Sequence, residues 1–219
     1  MKKLLALVAI VSVVLLGAMY FGYIPTKDQC MCGSMCPCVG TDKAGATKAA
    51  MRKLWEDHIE YTRNFIISAL ADLEDKDAIA ARLLKNQDDL GAAIVPYYGQ
   101  EAGQQLAKLL KEHITVAVDV VKAAKSGDKQ KLKEAQDAWY ANADKIAQFL
   151  STANPNLPEK VLKDMLYKHL ELTTGEVTSR LGKNWNADIE FYDKGHEHML
   201  MFSDALVDGI AQQFPEALK

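Results

Sequence analysis

Two groups of side chains in this sequence have the chemistry to bind a metal. The first is Cys30, Cys32, Cys36 and Cys38, spaced Cys-x-Cys-x-x-x-Cys-x-Cys with Met31 and Met35 interleaved. Thiolate and thioether sulfurs are soft donors that suit Cu(I), and four thiolates also suit Zn(II) or an iron–sulfur centre. Gly33 and Pro37 let so short a loop fold back on itself. In an oxidising compartment neighbouring thiols pair instead, so a disulfide-closed linker or a lipid-modified tether stands beside the metal reading. All four cysteines lie in this one segment, so no disulfide framework runs through the rest of the chain.

The second group is histidine. His58, His113 and His169 recur 55 and 56 residues apart, each in a related context: Leu54-Trp-Glu-Asp-His-Ile59, Leu109-Leu-Lys-Glu-His-Ile114 and Met165-Leu-Tyr-Lys-His-Leu170. Apolar residues flank each histidine at helical spacing, as with Met51, Leu54, Trp55, Ile59 and Ile66, which places the imidazole on the inward face. Near the C-terminus His196 follows the apolar line of Tyr192 and Met199, whereas His198 is turned away from it by about 200° at about 100° per residue. Imidazoles from different helices of a bundle can share a transition metal, copper or zinc, and His58, His113, His169 and His196 are the expected ligands. Buried histidine can equally be a core residue bonded to a polar neighbour such as Thr62, Thr173, Asn86 or Asn142.

The elements that must position these residues are helices. A second segment also recurs, Leu83–Asp88 with Trp139–Asp144; allowing a gap of three residues, Tyr192–Glu197 takes the same place in a third unit. Breakers divide the pattern: Asp72–Asp77, Pro96–Gly99, Ser126-Gly127-Asp128 and Asn154–Pro158. No alternating β-branched run between turn residues appears. The expected fold is all-α, a helical bundle of three αα-hairpin repeats over 46–219 with six helices, preceded by a Cys/Met-rich linker over 27–45. If the repeats close around a pseudo-threefold axis the equivalent histidines meet; if they stack as a solenoid each stays in its own unit.

Residues 1–26 read as a membrane anchor. Lys2 and Lys3 precede 21 uncharged residues, Leu4 to Ile24, which as a helix would span about 31 Å, enough to cross a bilayer. Tyr20, Phe21 and Tyr23 suit the headgroup layer, and the paired lysines favour a cytoplasmic N-terminus with the body outside, on the periplasmic or extracellular face. A cleaved signal peptide is the alternative, with Gly17-Ala18 as a weak cleavage site.

The formal net charge is -3 over 219 residues and no long run of like charge occurs, which argues against a nucleic-acid surface. Only Asp193-x-x-His196 approximates one of the paired motifs of a di-iron bundle. There is no phosphate loop, no Gly-x-Ser-x-Gly elbow and no His-Glu-x-x-His motif, so an ordinary hydrolase has no visible machinery. Trp55, Trp139 and Trp185 with Tyr97, Tyr98, Tyr140 and Tyr192, and Met199 with Met201, read as packing residues before they read as a ligand pocket or copper donors.

The strings Arg-Lys-Leu-Trp-Glu-Asp-His at 52–58, Pro-Tyr-Tyr-Gly-Gln-Glu-Ala-Gly at 96–103, Asn-Ala-Asp at 142–144 and Gln-Phe-Pro at 213–215 resemble a family of bacterial helical proteins with no established function. The likeness runs from about Met51 to the C-terminus. It implies an all-α fold and supplies no functional residue. Members sometimes carry glycosyltransferase or acetylglutamate kinase names, and this chain has neither the α/β pattern nor the phosphate loop those activities need. Three functional expectations follow: a membrane-anchored, extracytoplasmic bundle binding a transition metal through His58, His113, His169 and His196, the Cys cluster, or both; a non-enzymatic scaffold or interaction module of the cell envelope with structural histidines; and, least supported because no nucleophile, base and orienting group can be named together, an enzyme using the His-lined interior.

Overall fold

The structure, a computed structural model, describes residues 43–219. The expected anchor over 4–24 and the Cys cluster over 30–38 lie outside the described residues. The described residues form five α-helices: α1 Lys43–Leu70, α2 Lys76–Ser126, α3 Lys129–Ala153, α4 Glu159–Leu181 and α5 Trp185–Gln213, followed by a 3-10 turn at Pro215–Leu218. Among them there is no strand. Among them, too, no helix is long and apolar enough to cross a membrane.

Five spans stand where six helices are expected because α2 is two helices that meet at a sharp, non-helical corner. Gly99 sits there at φ 84°, ψ 170°, a region open essentially to glycine alone, and Pro96 lacks the N–H that would tie the corner back into the helix. Along a straight helix Gly91 and Gly103 would be about 18 Å apart at about 1.5 Å per residue. A Cβ built on Gly91 would instead run into the Gly103 carbonyl oxygen, so the two arms of α2, 76–98 and 100–126, are folded against each other. Backbone meets backbone there, and no side chain can yield. Gly91→Ala is therefore expected to destabilise the bundle by about 1–3 kcal/mol; an urea midpoint equal to that of the unsubstituted chain would refute this close packing.

Each helix packs on its sequence neighbours and α5 returns to α1, closing a ring rather than extending a solenoid. Leu90, Ile146, Leu162, Leu170 and Phe202, none more than 1% exposed, come from four different helices and fill its centre. Each such side chain contributes about 1.5–3 kcal/mol on burial. Helix starts are fixed locally: the Asp128 carboxylate accepts from Lys131 N at 3.0 Å, and Asn184 Oδ1 accepts from Ala187 N at 3.2 Å.

The turns after α1, α2 and α4 gather at one end of the bundle. Lys125 Nζ reaches both Ala69 O (2.7 Å) and Asp72 (2.6 Å) there. A buried ion cluster ties α1 to the α4–α5 hairpin near this end: Arg63 bonds Glu176 at 2.8 Å and both carboxylate oxygens of Asp188, which also accepts from Arg180 at 2.9 Å. The Gly99 corner, the α3–α4 loop and the C-terminus occupy the other end with the start of α1. Tyr98 bonds Gln213 (3.1 Å) and Asn154 (2.9 Å), and Lys48 pairs with Asp204 at 3.3 Å.

Candidate functional site

His58 on α1, His113 on the second arm of α2 and His169 on α4 are 2–3% exposed and meet inside the ring. The His169 ring lies 5.7 Å from that of His58 and 6.0 Å from that of His113, centroid to centroid. The sequence places them there by the apolar residues one helical turn to either side, which cannot be buried without carrying the imidazole in with them.

The hydrogen bonds show what each ring does. An indole N–H can only donate. Trp139 Nε1 donates to His113 Nε2 at 3.1 Å, so the His113 proton is on Nδ1, which donates to Asn142 Oδ1 at 2.9 Å. Asn142 Nδ2 in turn donates to Leu109 O at 3.1 Å. Both nitrogens of His113 are thus committed within the bundle. His58 Nδ1 faces Gln87 Nε2 at 3.3 Å, while Asn86 Nδ2 donates to Leu54 O at 2.9 Å. Thr62 and Thr173, considered as partners of the rings, donate instead to the backbone oxygens of His58 and His169, one turn back. His169 Nδ1 is buried with no partner, as is Gln87 Oε1.

The fourth histidine near this group is His198, not His196. His198 Nε2 donates to Met165 O at 2.7 Å, a bond between positions 33 apart, as Asn142 to Leu109 is. No gap is needed to align α5, and the expected three-residue gap, which set Gly195 opposite Asn86, is corrected by this contact. His196 is half-buried, its ring 6.2 Å from that of Tyr192 on its own helix. The 200° rotation placed His198 correctly relative to His196; what it lacked was the position of α4, which packs against the His198 side. Among the aromatic and sulfur residues, Trp55, Trp139 and Met199 are buried, whereas Trp185 and Met201 are each 52% exposed and outside the core.

Burial pushes His58 down to about 3, with His113 adding to the effect and Gln87 opposing it. Burial likewise brings His113 to about 4 against its bond to Asn142. His169 is held well below the ordinary histidine range by burial first, then by its neighbours His58, His113 and His198. All three are neutral imidazoles at pH 7. They line a cavity of about 20 Å³ whose other walls are Phe65, Ile66, Val177 and similar residues with a few threonines. Among the described residues no three His, Cys, Asp or Glu side chains are arranged to hold a metal ion.

Because the three rings are used differently, their removal should differ in effect. His113→Leu leaves the Trp139 N–H and the Asn142 carbonyl unpaired in the core, an expected loss of about 2–4 kcal/mol from two orphaned groups. His169→Leu removes a nitrogen that already lacks a partner and should be neutral or stabilising by about 1 kcal/mol. Thermal melts of the two variants at pH 7 check the order; equal losses would show that His169 has a partner in solution.

Sequence reasoning missed the Trp139–His113 bond, the role of His198 and the Arg63 cluster. A signal existed for the second: His58 and Gln87, His113 and Asn142, and His169 and His198 are each 29 residues apart. Nothing in the local sequence marked Arg63, whose partners are more than 100 residues away. The chain matches no protein-family model, no curated protein and no solved structure in the three comparisons made.

Proposed function

We propose that this chain is a non-enzymatic, membrane-tethered module of the cell envelope, its body built from three diverged αα-hairpins whose histidines fix how the hairpins fit together. The observation that carries this reading is the use to which the interior polar groups are put. Asn86 to Leu54 O, Asn142 to Leu109 O and His198 to Met165 O each run from the second helix of a hairpin to the carbonyl four residues before that hairpin's histidine on the first, and His113 spends both nitrogens on the second helix of its own hairpin. Such bonds set register between rods that apolar packing alone would let slide.

The tether is residues 4–24, with the Cys-rich segment as linker and the body outside the cytoplasm. The start of α1 lies at the end of the bundle opposite the three hairpin turns, which present Leu73, Leu181 and Trp185, each at least 38% exposed. A shared centre of three or four imidazoles is the competing reading; it would require His113 to give up Trp139 or Asn142.

Two measurements test the proposal. Alkaline phosphatase fused after Lys219 should be active, with the fusion in the membrane fraction; an inactive fusion would overturn the orientation. Full-length protein purified without an affinity tag and dialysed against a chelator should retain no zinc or other divalent ion in its helical body. One tightly held divalent ion per chain that is lost in His113→Leu would overturn the structural role.

A further inference from the structure

The second hairpin differs from the first at positions that lie between its two helices. Asn142 and Asn86 bond the carbonyl four residues before the histidine of their own hairpin, which aligns the two units residue by residue. In the first unit Arg82, four residues before Asn86, lies over the Tyr61 ring at 4.5 Å and bonds Asp57 at 3.1 Å, so the chain itself fills the space. In the second unit Ala138 stands in the place of Arg82 and Val116 in the place of Tyr61. These truncations leave a trough of about 720 Å³ between α3 and the second arm of α2, within the range of small-molecule sites, about 300–1,000 Å³.

We propose that this trough binds a small organic monocarboxylate with an apolar body. Ala107, Ala138, Ala141 and Val116 give it an apolar floor. Asn142 and Lys145, three residues apart and so on one face of α3, bring N–H donors to it. Asn142 is only 5% exposed, and its amide nitrogen carries two hydrogens, of which Leu109 O takes one. A buried donor left over beside an open trough points to an acceptor within it. Charge sets the number of carboxylates. Lys111 is paired with Asp88 at 2.5 Å, and Lys108 and Glu112, one helical turn apart on the same arm, offset each other. Among the described residues Lys145 pairs with no carboxylate. A cation would be repelled by Lys145, and a second carboxylate would find no free ammonium.

The carboxylate accepts the second Asn142 N–H and an ammonium hydrogen of Lys145. The apolar body lies over Ala141, Ala138 and Val116, in the place that Arg82 and Tyr61 occupy in the first unit. No proton changes hands and no covalent bond forms. Asn142 keeps its bonds to His113 and Leu109 O, so the site adds a ligand to the structural reading of the histidines and does not depend on it.

The test uses the full-length chain in detergent, with 3-phenylpropanoate as the probe and its uncharged counterpart 3-phenylpropanamide as the control. The expected result is a saturable shift of the Ala107, Ala138 and Ala141 methyl resonances and of the Asn142 side-chain amide, with a dissociation constant of about 1 mM, ordinary for so small a ligand. The uncharged probe should bind at least about tenfold more weakly, and Lys145→Gln should weaken the carboxylate by the same factor. Ala138→Arg, which gives the second unit the side chain of the first, should abolish binding while the helical signal persists, and Ala141→Gln closes the trough independently at another exposed position. Lys160→Gln, at an exposed lysine outside the trough, should leave binding unchanged. Absence of a saturable shift, equal binding of the uncharged probe, or binding that survives both Ala138→Arg and Ala141→Gln would overturn the proposal.

Discussion

On acidification the helical body is expected to unfold in one step at about pH 4–5, the unfolded chain taking up about three protons that the folded one excludes. The groups responsible are His58, His113 and His169, which folding holds below the ordinary histidine value of 6.5, the first two to about 3 and about 4. A histidine whose folded pKa is depressed favours the folded state fully above pH 6.5. As the pH falls through that value the unfolded chain binds protons first, and stability continues to drop until the folded rings titrate in turn. Between pH 6.5 and 5 each ring forfeits about 2 kcal/mol, at about 1.4 kcal/mol per unit. Three rings together forfeit about 6 kcal/mol, comparable with the whole stability of an ordinary domain, about 5–15 kcal/mol. Ellipticity at 222 nm followed against pH measures the transition, and its steepness gives the proton number. His169→Leu should lower the proton number from about three to about two and move the midpoint to lower pH. A helical signal unchanged down to pH 3, or a transition indifferent to His169→Leu, would contradict the burial of neutral rings.

Arg63→Met is expected to be the most damaging single change at neutral pH. The guanidinium is bonded to Glu176 and Asp188, whose side chains are only 7% and 2% exposed. Burial by itself would lower the pKa of Arg63, yet its bonds to Asp188 and Glu176 outweigh that and raise it. Burial raises Glu176 even against the Arg63 charge, which shows how far its carboxylate depends on that partner. With Arg63 removed, Asp188 still has Arg180 at 2.9 Å, but Glu176 has no cation bonded to it. Breaking a buried pair in this way costs about 3–5 kcal/mol. For a chain of this size that corresponds to a fall in Tm of about 10 °C. Adding Glu176→Gln to Arg63→Met should restore part of the loss by removing the stranded charge, and calorimetry of the single and double variants measures it. A double variant less stable than Arg63→Met would show that Glu176 is held by something other than this cluster.

The cluster also bears on how the hairpin turns are presented. Arg63 stacks over the Tyr192 ring at 5.1 Å and Arg180 over Trp185 at 5.5 Å, so the charges that fix α4 and α5 to α1 also orient the exposed indole. Loss of Arg63 should therefore alter the fluorescence of Trp185 before the core melts.

What the sequence determined by itself is the part governed by local rules. Apolar residues at helical spacing around His58, His113 and His169 fixed that these are helices and which face is buried. Glycine and proline at Pro96–Gly99 fixed that the chain must turn there, since few residues can take the backbone angles of Gly99. The tertiary structure decided everything that depends on which helices are neighbours. Closure of α5 onto α1 brought three histidines together where a solenoid would have kept them apart. The lie of α4 gave the fourth place to His198, because rotation about the axis of α5 states only the angle between two side chains and not the side on which a neighbour packs. The same closure joined Arg63 to carboxylates more than 100 residues away and left His169 without a hydrogen bond on Nδ1. A repeated sequence makes three positions equivalent, but partners for each ring come from other helices, and the packing of those helices satisfied two of the rings and not the third.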